Sequence, residues 1–219
     1  MTHATPHLVI GNKNYSSWSF RPWLAMRATG IAFTEEVIAL DQPDTRDLIR
    51  AHGGSLRVPV LHHGPLVIWE SLAIIEYVAE TFPEARLWPV ATDARALARS
   101  VANEMHAGFM ALRAACPMNM RREKKRLAIS ADAQADARRI EDLWKLCRDR
   151  HGDGGPFLFG AFSAADAMYA PVVNRFEVYD IPVARESRAY MEAVRSLPAW
   201  SEWEAAGKAE TWIIPHDEA

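Results

Sequence analysis

The sequence holds only two cysteines in 219 residues, Cys116 and Cys147, and neither belongs to a Cys-x-x-Cys pattern. That scarcity excludes a disulfide scaffold, a cysteine-built zinc site and a dithiol redox centre. Positive charge is also limited. Twenty-five Lys and Arg against 28 Asp and Glu leave a net charge of −3, which excludes nucleic-acid binding through general positive charge. No apolar run approaches the roughly 18 residues that a membrane span needs. The segment from Met1 to His7 has no basic stretch followed by an apolar one, so no secretory signal is expected and a reducing cytoplasm is the expected compartment. Internal repeats and low-complexity segments are missing. The eight His residues are scattered, and adjacent His62 and His63 would face opposite sides of a strand, so no metal site is expected.

What is present is ordinary globular material. Hydrophobic residues make up 49% and charged residues 24%, with eight Trp, eight Phe and five Tyr to fill a core. The length fits one large domain or two small ones.

The pattern changes near residue 85. Before it, short β-like runs alternate with helical spacing. Strands are predicted over 7–11, 33–40, 58–62 and 66–69, and helices over 18–29, 44–51 and 71–81. The last two strands form a hairpin around His63-Gly64-Pro65. Helical crossovers demand parallel neighbours and the tight turn demands an antiparallel pair, so the order β-α-β-α-β-β-α gives a small mixed sheet covered by helices. From residue 93 onward only helix-period segments occur: one long helix over 94–115 broken or bent by Pro117, another over 132–151, and shorter ones over 163–176, 186–196 and 199–209. The expected architecture is an α/β domain over 1–84 followed by an all-α domain over 93–219.

Four local signals bear on chemistry. In Asn14-Tyr15-Ser16-Ser17-Trp18-Ser19-Phe20-Arg21-Pro22, proline is best tolerated in a first helical turn, so the helix is expected to start near Ser19 as N-cap. Ser16 and Ser17 then lie in the loop above a helix N-terminus, whose free N–H groups and partial positive charge favour an anion. The same serines also suit plain caps and turns. At Val58-Pro59, a proline opening a strand removes one ladder donor and leaves groups of Val58 free for an extended ligand, or simply marks an edge strand. Trp69-Glu70-Ser71 runs from strand end into helix: Ser71 suits the cap and would favour a carboxylate, while Glu70 would accept from an amine, so an amino-acid head group fits the pair. In Phe162-Ser163-Ala164-Ala165-Asp166, Ser-x-x-Asp ahead of an apolar helix is a capping box with a structural role.

The order and spacing of these four signals resemble a cytosolic glutathione transferase over essentially the whole chain, a bacterial serine-type member close to the zeta and theta branches. The resemblance implies a thioredoxin-like first domain that binds glutathione and a helical second domain that binds a small hydrophobic or acidic electrophile. It implies a cytoplasmic homodimer with a detoxification role, without metal, nucleic acid or membrane partners. The zeta motif matches Ser16-Ser17-Trp18-Ser19-Phe20-Arg21 with Trp18 in place of its cysteine. Its first serine makes Ser16 the thiol-activating candidate, whereas counting back from Arg21 as in delta-type enzymes gives Ser17. The resemblance assigns the cysteinyl part of glutathione to Val58 before Pro59, the γ-glutamyl part to Glu70 and Ser71, and a further polar contact to Arg57.

The electrophile is expected between the domains, near Met105, His106, Phe109, Met110, Arg113, Met118 and Met120, with Arg121 and Arg122 as further cations or a solvated face. Arg175, in Val173-Asn174-Arg175-Phe176, resembles the zeta-class arginine that binds a substrate carboxylate. That match raises a maleylacetoacetate-type isomerase as one alternative. A non-catalytic glutathione-transferase-like binding protein is the other.

Overall fold

A computed structural model describes residues 4–218; the first three residues of the Met1–His7 segment, and Ala219, lie outside the described residues. The first domain contains β1 (His7–Gly11), α1 (Ser17–Ala28), β2 (Thr34–Ile38), α2 (Thr45–Ala51), β3 (Val60–His63), β4 (Leu66–Trp69) and α3 (Ser71–Thr81). Its four-stranded sheet has the order β2-β1-β3-β4. β1 pairs parallel to β2 with His7 opposite Thr34, and antiparallel to β3 with His7 opposite His62. The β3–β4 hairpin pairs Val60 with Trp69. This is the mixed, thioredoxin-like sheet that the element order requires.

Strand alternation divides the core. Leu8 and Ile10 join Leu24, Leu61, Ile75 and Val78 in the main apolar cluster on the α1/α3 face. Val9 faces the other way, against Ile38, Val60 and Ile49 of α2. His62 and His63 part as expected: His63 is buried, its ring nitrogens bonded to the Tyr77 hydroxyl at 2.7 Å and the Ala4 carbonyl at 2.6 Å, while His62 is half-buried.

The second domain is helical: α4 (Thr92–Ala107), α5 (Met110–Ala115), α6 (Ala131–His151), α7 (Ala164–Val178), α8 (Arg185–Arg195) and α9 (Pro198–Ala209). The α7 N-terminus has the expected capping box, with Asp166 accepting from the Ser163 N–H and hydroxyl at 2.8 Å each and from the Leu158 N–H at 3.0 Å. Arg21 of α1 is fully buried against α7 and donates to the Met168 carbonyl at 3.0 Å, which ties the two domains together.

Three expectations need correction. The helix expected over 94–115 is two helices, and Pro117 does not make the break. The chain turns at Gly108-Phe109, where Phe109 adopts φ 60° and a Cβ on Gly108 would meet the Glu104 carbonyl oxygen at 2.9 Å. Ser19 is not the cap of α1. The helix begins at Ser17 with Ser16 as N-cap, and Pro22 lies inside it. Ser71 is likewise the first residue of α3, with Glu70 as N-cap.

Candidate active site

Pro22 explains how the floor of the site is built. A proline has no N–H, so the carbonyl four residues earlier, that of Trp18, loses its helical donor. The Ser71 hydroxyl supplies one at 2.8 Å, pinning the start of α3 to the first turn of α1. Residue 70 pays for this junction in backbone geometry: Glu70 holds φ 69° and ψ 125°, a region that L-residues avoid and that concentrates at ligand sites. Val58 and Pro59 precede β3 rather than opening it, and their peptide bond is cis.

These elements enclose a cavity of about 530 Å³ lined by Trp18, Ser55, Arg57, Val58, Pro59, Glu70, Ser71, His106 and Arg113. Seven of the residues singled out in sequence meet there: Arg57, Val58, Pro59, Glu70 and Ser71 from the first domain, His106 and Arg113 from the second. Trp18 and Ser55 belong to the same wall. The departure of Trp18 from the zeta motif pointed to its importance, and Ser55 follows the Gly53-Gly54 turn that brings the loop back to the site.

Other candidates stand elsewhere. Met105 and Phe109 are buried in the core, as are Met118 and Met120. Met110 is 64% exposed. Arg121 and Arg122 adjoin the C-terminal segment, where Arg121 donates to the Trp212 carbonyl at 2.9 Å and Arg122 lies over the Tyr179 ring at 4.5 Å. Arg175 is buried, its Nε donating to the Cys116 carbonyl at 2.8 Å.

Trp18 sits inside a cationic wall. The Arg21 and Arg113 guanidiniums lie 4.2 Å and 4.4 Å from its ring centroid, and the His106 ring meets it edge-on at 5.2 Å. Arg21, Arg113 and Arg175 form no ion pair among the described residues, and Arg21 Nη2 and Arg175 Nη1 are buried without hydrogen-bond partners. Burial lowers the pKa of all three, and mutual repulsion adds to the lowering at Arg21 and Arg175. His106 lies 3.8 Å from Glu70, yet burial outweighs that carboxylate and drives its pKa below the usual value, with Arg21 and Arg113 adding to the drop. The neutral ring of His106 is therefore favoured, which weakens its claim on the Glu70 carboxylate.

Ser16 and Ser17 are both buried and adjoin the cavity through Trp18 without lining it. The Ser16 hydroxyl donates to Ser19 Oγ at 2.8 Å, and Ser19 Oγ accepts from the Gly11 N–H at 3.1 Å. The Ser17 hydroxyl has no hydrogen-bond partner among the described residues. Neither thiol lines the cavity. Burial pushes Cys116 up to about 11 and Cys147 up to about 12, so thiolate is scarce at neutral pH.

Comparison with known proteins agrees with this architecture. Residues 15–81 match the glutathione S-transferase N-terminal domain and residues 128–206 match the C-terminal domain. Among curated proteins, the chain is 30% identical to Protein IN2-1 of Zea mays over 164 residues, 73% of this chain and 61% of that protein. It is 33% identical to glutathione S-transferase 1 of Dianthus caryophyllus over 122 residues, 55% of each chain. The chain thus spans about three fifths of the length of the first of these relatives. A glutathione transferase homologue from Burkholderia GL BGR1, solved with bound glutathione, superposes with a TM-score of 0.69 at 23% identity, over 94% of this chain and 100% of that one. Glutathione transferase Omega 2C from Trametes versicolor gives 0.67 at 17% identity, over 94% and 96%. With both domain models matched in order on this two-domain fold, the chain belongs to the glutathione S-transferase family.

Proposed function

We propose that the protein is a glutathione transferase of the serine type, near the zeta and theta branches, in which a serine hydroxyl keeps the sulfur of bound glutathione deprotonated. The observation that carries this reading is the cavity itself, where Arg57, Val58, Pro59, Glu70 and Ser71 of one domain face His106 and Arg113 of the other. Glu70 takes the amine of the γ-glutamyl group, the N-terminus of α3 takes its carboxylate, and the main chain of Val58 takes the cysteinyl part.

The energetics are sufficient. A free thiol with pKa near 8.5 is only a few per cent thiolate at pH 7. Lowering that value by roughly two units requires about 2.7 kcal/mol. One hydroxyl donor to an anion supplies about 1.5–3 kcal/mol, and a helix N-terminus adds up to about 1. Ser17 is the better placed donor, because its hydroxyl is uncommitted while that of Ser16 is bonded to Ser19. The serine stabilises the sulfur and forms no covalent bond to it.

The electrophile is a small molecule bearing an anionic group. Arg57 and Arg113 line the cavity, and Arg21, which forms no ion pair among the described residues, packs on the Trp18 ring of its wall. The same charge favours a second reading, a maleylacetoacetate-type isomerase, although bulky Trp18 reshapes the pocket relative to the zeta motif. Exposed Leu56, Leu66, Val67 and Trp69 on the first domain support a homodimer. A cytoplasmic location fits two free, buried cysteines, and a detoxification role follows from conjugation of such an electrophile.

Incubating the protein with glutathione and either an activated aryl halide or maleylacetone separates the readings. Conjugation consumes glutathione; isomerisation converts maleylacetone and leaves it intact. Failure to retain the folded protein on immobilised glutathione would instead indicate a non-catalytic module.

A further inference from the structure

The loop that presents both serines is gripped from the far end of the chain. Residues 12–16 join β1 to α1, and the N–H groups of Lys13 and Asn14 donate to the two carboxylate oxygens of Glu210 at 2.7 Å and 3.0 Å. Glu210 directly follows α9, whose last turn lies against the same peptide at Gly207. A Cβ there would meet Asn14 N and Lys13 C at 3.1 Å each, so any side chain would push the loop away by a few tenths of an ångström.

A second set of bonds closes the grip. The Met120 N–H donates to the Asn14 carbonyl at 3.2 Å, and the Arg121 N–H donates to Asn14 Oδ1 at 2.9 Å. The Arg121 guanidinium donates to the Glu210 carbonyl and, at 2.6 Å, to the Tyr15 hydroxyl, which itself donates to Glu218. Glu210 is half-buried. Burial pushes its carboxyl up, while the two N–H donors and the charges of Lys13 and Arg121 favour the ionised form.

We propose that Glu210 is a positioning residue for thiol activation: by accepting two successive N–H groups it fixes the loop that feeds α1, and so the aim of the serine hydroxyl toward the sulfur. It lies outside the cavity lining and exchanges no proton with glutathione. This inference rests on the serine reading above.

The test is an ultraviolet titration of the thiolate of bound glutathione in Glu210→Gln and Glu210→Asp, beside wild type, Ser16→Ala and Ser17→Ala. Glutamine keeps the shape but replaces one accepting oxygen with an NH2 that only donates, so one of the two N–H groups loses its partner. Aspartate keeps the charge and draws it back by one methylene. Glu210→Gln should raise the bound thiol's pKa by about half a unit, roughly a threefold loss of thiolate at neutral pH. Glu210→Asp should raise it less. Glutathione affinity should change less than twofold in both, because Val58, Glu70 and Ser71 are untouched. If a serine variant moves the thiol pKa and neither Glu210 variant does, the inference falls and the serine reading stands. If neither serine variant moves it, the serine reading fails and takes this inference with it. Should Glu210→Gln not fold, Glu210→Asp decides alone, an unmoved pKa counting against the proposal.

Discussion

The Ser71 hydroxyl donates to the Trp18 carbonyl at 2.8 Å across 53 positions of sequence, filling the vacancy that Pro22 leaves in the α1 hydrogen-bond ladder. One missing N–H thereby couples the two helix starts that border the candidate glutathione site. The proline inside α1 is a connection as much as an interruption.

Ser71→Ala should cost about 1 kcal/mol of stability, since it leaves a half-buried carbonyl without its donor. Pro22→Ala restores a backbone N–H within reach of Trp18, so the double variant should be less destabilised than the sum of the single ones. Urea unfolding of the four-member cycle checks this; strict additivity would contradict the coupling.

Glu70 and His106 make a titration prediction. Burial holds the His106 pKa down and Glu70 pulls it up. Replacing Glu70 by Gln should lower it further, while Arg113→Gln should raise it, both visible in the imidazole resonances during a pH titration by NMR. The Glu70→Gln protein should also bind glutathione about tenfold or more weakly, the loss expected for one charge-assisted hydrogen bond.

Asp166 governs part of the acid limb of stability. Burial raises its carboxyl to about 6, against an ordinary value of 3.8, despite three hydrogen bonds. Between those values the folded protein holds a proton that the unfolded chain releases. Its contribution is therefore greatest at low pH and is lost as pH rises through about 6. The stability difference between wild type and Asp166→Asn should fall across that window and level off above it, in denaturation curves taken at stepped pH. Ser163→Ala should cost about 1 kcal/mol by removing the cap.

Much of this was legible in the sequence because the signals are local. The order β-α-β-α-β-β-α gave the mixed sheet, and Ser163 to Asp166 gave the α7 cap. The helix start was misplaced because three serines near Pro22 all suit an N-cap, and a proline rule cannot see that Ser71 relieves Trp18. The α4–α5 break was missed since Gly108 looks tolerable in a helix until Phe109 takes a left-handed turn. Glu210 and Gly207 carry no local signal at all; their meaning comes from a contact spanning nearly the whole chain.

The most direct test of the central claim is the pKa of glutathione's thiol in complex with wild type and with Ser17→Ala, read from thiolate absorbance against pH. The account predicts a wild-type value near 6.5, about two units below the free thiol, and a rise of at least one unit on loss of the Ser17 hydroxyl, with Ser16→Ala shifting it less. A wild-type value equal to that of free glutathione, or a Ser17→Ala curve superimposable on wild type, would contradict it.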